Sequence, residues 1–238
     1  MTLSRSKQFF ITFAVFAVLG VAFKVMVLVD GFTEVRPVNA IPPVAGLAFG
    51  PLGGIACGLG NLFADVFGSW SWNWSSVLGL TANFVAAFLP YRLWHLFSKE
   101  MPNVHSHKNM LRFVLICLVS AFTVAWMLAF GLYTFFGIWV KQIYTYVFLN
   151  NFAFSIMFGL PLLIVLTSDS VAIVCQKPIK HAVFGKFRAW KAPVCAAYVL
   201  LMLVIFVCVF FLDMNPQGAP WMHILSALSL LGLLCQLV

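Results

Sequence analysis

Few side chains in this sequence are able to do chemistry, and most of them crowd into one stretch. Asn61 and Asp65 stand four residues apart, so a helix through them presents both on one face. The run Gly68-Ser-Trp-Ser-Trp-Asn-Trp-Ser75 follows, in which Trp70, Trp72 and Trp74 alternate with small polar residues and Asn73. Asn83 comes next, beside Ala82 and Ala86, and Tyr144 supplies an aromatic hydroxyl much further on. A carboxylate, several amides and a row of indoles are suited to binding: ring faces stack on a flat heterocycle, and the amides orient it. Each feature has a plainer reading. The tryptophans match an interfacial belt, Asp65 an interfacial cap or a structural hydrogen bond, and Asn83 a hydrogen bond to a neighbouring helix.

Signatures of catalysis are missing. The sequence has no HExxH, GxSxG, Walker or CxxC pattern. His105-x-His107 has only Glu100 close by and reads as a solvated loop, while Lys24, Asp65 and Asp169, the ionisable residues in or near spans, have no obvious partner. Cys57, Cys117, Cys175, Cys195, Cys208 and Cys235 lie in or beside apolar runs and read as reduced, packed thiols. We therefore expect no catalytic residues, no metal and no cofactor. The adjacent amides Asn150 and Asn151 require that at least one face a protein interior or a cavity.

The elements that position these residues are set by composition. Of 238 residues, 63% are hydrophobic and 8% charged, and mean hydropathy is +1.03. A soluble domain carries roughly 25% charged residues, so most of this surface faces lipid. We expect one integral membrane domain over residues 1–238, an all-α polytopic bundle of six to seven hydrophobic segments. These run Phe9 to Val29, Ala40 to Phe67, Val77 to Phe97, Leu111 to Phe136, Tyr144 to Leu166, Val194 to Leu212, and Trp221 to the C-terminus. The first follows Arg5 and Lys7 and is read as a retained helix, not a signal peptide.

The net charge of +8 reports topology, not nucleic-acid binding, because its cations sit in short loops. Arg92, Lys99, Lys108 and Arg112 form one basic cluster, and Lys177, Lys180, Lys186, Arg188 and Lys191 another. Residues 98–109 and 177–191 are thus expected in the cytoplasm and the Trp-rich loop outside. The second segment, rich in Gly and Pro, decides the side of the N-terminus: a full crossing places it outside, a re-entrant fold inside.

Within that segment Gly46, Gly50, Gly54 and Gly58 recur every four residues, which on one helix makes a smooth packing face. The run VNAIPPVAGLAFGPLGGIACGLGNLFADVFG, followed by SSVLGLTANFVAAFLPYRLW, resembles the substrate-binding S components of energy-coupling factor (ECF) vitamin importers. What carries it is the FGP-x-G entry to a Gly-rich helix ending in Asp, then a helix closing on Tyr and a basic residue. The resemblance covers about the first hundred residues. It implies that Ala14, Val18 and Ala22 form the helix face that meets a separate transmembrane scaffold, with ATPase subunits supplied by other chains. The expected function is uptake of a small water-soluble, vitamin-like solute at a bacterial inner membrane, with solute and membrane lipid as partners and no nucleic acid. A membrane-integral sensor that binds a ligand without moving it is the alternative, since such domains share a Pro-x-x-Gly entry and a mid-helix Asn.

Overall fold

The structure, a computed structural model, describes residues 3–23, 26–29, 33–69, 74–168, 171 and 184–237; within these, the side chains of 27–29, 33–34, 69, 184–190 and 237 are left aside. It is an all-α bundle. Helix α1 (Arg5–Ala22) leads into a small antiparallel ribbon, β1 (Val27–Val29) with β2 (Thr33–Glu34), and a 3-10 turn (Pro37–Ala40). Helices α2 (Ile41–Phe49), α3 (Pro51–Ser69), α4 (Ser75–Phe97), α5 (His107–Phe136) and α6 (Lys141–Phe154) follow. A π turn (Ser155–Gly159) joins α6 to α7 (Leu160–Thr167), and α8 (Phe184–Phe210) and α9 (Trp221–Leu237) complete the chain.

Local sequence explains the breaks. Ser4 caps α1, its side chain accepting from the Lys7 amide. The first apolar run does not stay helical to Val29: the β-branched residues at 27 and 29 extend, and the Val35 amide donates to the Met26 carbonyl at 2.7 Å. Pro42 and Pro43 fall in the first turn of α2, where no intrahelical donor is needed. Gly50 ends that helix with φ +62, and Pro51 starts the next. Pro161 lies just beyond the widened π turn, which spares the carbonyl one turn back from the ring.

The Gly/Pro-rich second segment therefore doubles back as a helical hairpin. A methyl at Gly53 would overlap the Ala45 carbonyl, so the two arms touch backbone to backbone. The glycine ladder is split, contrary to its expected single helix: Gly46 is on α2, Gly50 is the corner, and Gly54 and Gly58 are on α3. All three helical glycines still meet α4, Gly46 at the Ala87 backbone, Gly54 at the Phe84 ring and Gly58 at the Leu80 carbonyl, which a methyl at Gly58 would approach to 2.9 Å. Helices α1 and α3 run parallel, since Gly20 meets Ala64 and Gly60 meets Phe16.

The hairpin settles which termini share an end. Leu3, Phe49 and Met101 pack together, His105 Nε2 lies 3.0 Å from the Thr167 carbonyl, and Arg92 Nε donates to the Gln236 carbonyl at 3.2 Å. One end of the bundle thus carries Arg5, Lys7, Arg92, Lys99, Lys108, Arg112 and Lys191. Among the described residues the other end carries Arg36 and Lys141, the latter paired with Asp213 at 2.7 Å. The positive-inside rule expects the more basic end, where the N-terminal helix begins, on the cytoplasmic side. Among the described residues five helices are long and apolar enough to cross a membrane, at Arg5–Ala22, Ser75–Phe97, His107–Phe136, Lys141–Thr167 and Lys191–Phe210. Pro37–Phe49 and Trp221–Gln236 are shorter. Large apolar side chains such as Phe135, Leu200 and Ile224 point outward, a surface that lipid accommodates and water does not. The protein is a multi-pass membrane protein.

Candidate functional site

The polar residues of α3 and α4 converge in the outer half of the bundle. Asn61 is fully buried, and its Nδ2 donates to Asp65 Oδ2 at 2.8 Å, so the two share a helix face as their spacing requires. Its Oδ1 accepts from Arg36 Nη2 at 2.6 Å, a short bond because the donor is charged. The amide is thus fixed in one orientation, oxygen toward the cation and nitrogen toward the carboxylate. The Arg36 backbone amide donates to Asn150 Oδ1 at 3.4 Å, which ties the chain leaving the ribbon to α6. Room for the row comes from Gly79 on α4. A methyl there would lie 2.6 Å from Asn61 Nδ2 and 3.1 Å from Asp65 Oδ2.

Arg36 is absent from the residues picked out of the sequence, although a signal exists. It is the one cation between Lys24 and Arg92, and it stands immediately before the proline that opens the Gly/Pro-rich segment. The 3-10 turn of Pro37–Ala40 then packs on α6 and leads into α2, which lies against α4. There the π turn braces it: Ser155 Oγ donates to the Asn39 carbonyl at 3.4 Å, and Gly159 sits against the Ala40 carbonyl.

Other expectations fare variously. Asn83 is buried but donates to the Gly79 carbonyl of its own helix at 2.9 Å, not to a neighbouring one, because Gly79 leaves that carbonyl uncovered one turn back. It therefore backs the site without entering it. Asn150 and Asn151 are both buried, and Asn151 donates to the Val147 carbonyl on its own helix. Tyr144 is buried away from the Arg36 row, edge-on to Trp126 at 6.3 Å and tilted against Phe206, and among the described residues its hydroxyl has no hydrogen-bond partner. Trp74 is 72% exposed at the start of α4. Trp70, Trp72 and Asn73 lie outside the described residues, as do Lys24 and Asp169. Ala14, Val18 and Ala22 all lie on the exposed side of α1.

Chemically, the row offers a guanidinium, a buried amide and a carboxylate in series, bonded to one another and lined up along α3. Buried polar groups in a membrane protein are costly unless mutually bonded, which makes this row the candidate site. It has no nucleophile–base pair, and among the described residues no cluster of three metal-ligating side chains occurs. The arrangement can bind and orient a small polar molecule. No family model, curated protein or solved structure matches the chain.

Proposed function

We propose that this chain is the substrate-binding membrane subunit of an ECF-type importer, taking up a small water-soluble, vitamin-like nutrient across a bacterial inner membrane. The observation that carries this reading is the Arg36–Asn61–Asp65 row, set in the half of the bundle away from the basic loops. A solute approaching from outside meets that end first. The hairpin of α2 and α3 holds the row against α4 through glycine contacts that leave no slack. On α1, the small side chains Ala14, Val18 and Ala22 face outward in line, an open surface suited to close approach by a scaffold helix.

The test is co-purification of a tagged chain from its native membrane in mild detergent. Recovery of a transmembrane scaffold with two ATPases, together with labelled-solute uptake that depends on all of them, supports the importer. A chain that binds solute, recovers a kinase or cyclase and gives no uptake is a sensor instead.

A further inference from the structure

Resting on the importer reading, we infer that the solute carries an acidic group, a carboxylate or a phosphate, and that Arg36 reads it. A guanidinium presents five N–H donors in a planar fork matched to such anions. Among the described residues the side chain of Arg36 makes one bond, from Nη2 to Asn61 Oδ1, and its remaining edge is uncommitted. The partner it has is a neutral amide. Asp65, the nearest carboxylate along α3, is bonded to the other end of that amide, so Asn61 stands between the two charges. A cation held by a neutral acceptor in a partly buried site has charge left to satisfy, and a bidentate anion satisfies it without disturbing the Asn61–Asp65 bond. A neutral solute would leave Arg36 short of a counter-charge at the moment binding removes its water.

The geometry also limits how Arg36 can move. Its backbone amide is held by Asn150, and Pro37 follows at once with fixed φ, so the guanidinium hangs from an anchored stem. That anchoring suits recognition of one group at one position, and the fork's plane is set further by the Asn61 bond.

The experiment titrates purified protein with matched acid and neutral probes: nicotinate against nicotinamide, orotate against uracil, and pyridoxal phosphate against pyridoxal. The expected result is that the tightest-binding probe is an acid, about tenfold or more tighter than its neutral partner. Arg36→Gln should abolish that preference while the unliganded protein still folds, its melting temperature lowered by no more than the loss of the one Asn61 bond accounts for. If Arg36→Gln cannot be isolated folded, Arg36→Lys decides, since it keeps a point charge and loses the fork; acid affinity should fall while neutral affinity holds. A neutral tightest binder, an acid preference that survives in both variants, or binding of no probe overturns the inference. Co-purification of scaffold and ATPases decides the importer reading separately, and the carboxylate and phosphate arms distinguish the two acids.

Discussion

Replacing Gly79 by alanine tests whether the polar row is the tightly fitted object described above. The new methyl would lie 2.6 Å from Asn61 Nδ2, against about 3.4 Å for the onset of ordinary contact, so the amide must retreat by about 0.8 Å. Asn61 holds bonds of 2.6 Å to Arg36 and 2.8 Å to Asp65, and a shift of that size carries at least one of them past the roughly 3.2 Å at which such bonds fail. A hydrogen bond to a charged group is worth about 1.5–3 kcal/mol, and water recovers part of that because Arg36 and Asp65 are only half-buried. We therefore expect Gly79→Ala to destabilise by about 1–3 kcal/mol, measured by thermal melting in detergent beside Thr81→Ala, an exposed change on the same helix that should stay within about 0.5 kcal/mol. Asn61→Ala removes the group being struck. In that background the cost of Gly79→Ala should shrink to a few tenths of a kcal/mol, and the difference is the coupling energy. A Gly79→Ala that melts like wild type, or costs the same in both backgrounds, would refute the reasoning.

Other predictions are independent of the row. Tyr144→Phe deletes a buried hydroxyl that has no partner and should leave the melting temperature unchanged or raise it, whereas Tyr198→Phe breaks a 2.6 Å bond to Thr123 and should cost about 1–2 kcal/mol. Gly46→Ala drives a methyl into the Ala87 backbone and should abolish folded protein in size-exclusion chromatography, while Gly137→Ala, at φ +69 with open space around it, should cost only about 1 kcal/mol of thermal stability. In intact cells carrying a background without Cys235, an impermeant thiol reagent should modify Gln142→Cys and spare Lys108→Cys; the reverse pattern would invert the assigned orientation.

Much of this architecture is legible in the sequence because lipid permits so few solutions. Apolar runs of sufficient length suffice to locate the long helices, while the expected loop over 177–191 lies largely outside the described residues. The split ladder is not legible in spacing alone. Gly46 to Gly58 fits a single helix perfectly, and only the pairing of Gly50, at positive φ, with Pro51 turns it into a hairpin. That one corner reverses the count of crossings and brings the N-terminus to the basic end. Asn61 and Asp65 could be found from their i, i+4 spacing. Arg36 could not be assigned the same way, because its contact with Asn61 spans a ribbon, a 3-10 turn and a helical hairpin. Tyr144 illustrates the opposite error: residue type and membrane side matched the expected site, yet its helix face turns it into the aromatic core with Trp126.

On the proposed function the solute binds at the Arg36–Asn61–Asp65 row. The most direct measurement is calorimetric titration of the tightest solute found by thermal-shift screening, on wild type, Asn61→Ala and Trp74→Ala, with each variant's melting temperature as the control for folding. The account predicts that Asn61→Ala weakens binding by about tenfold or more while still folding, and that exposed Trp74→Ala binds within about twofold of wild type. Wild-type affinity in folded Asn61→Ala would contradict it and move the solute away from α3.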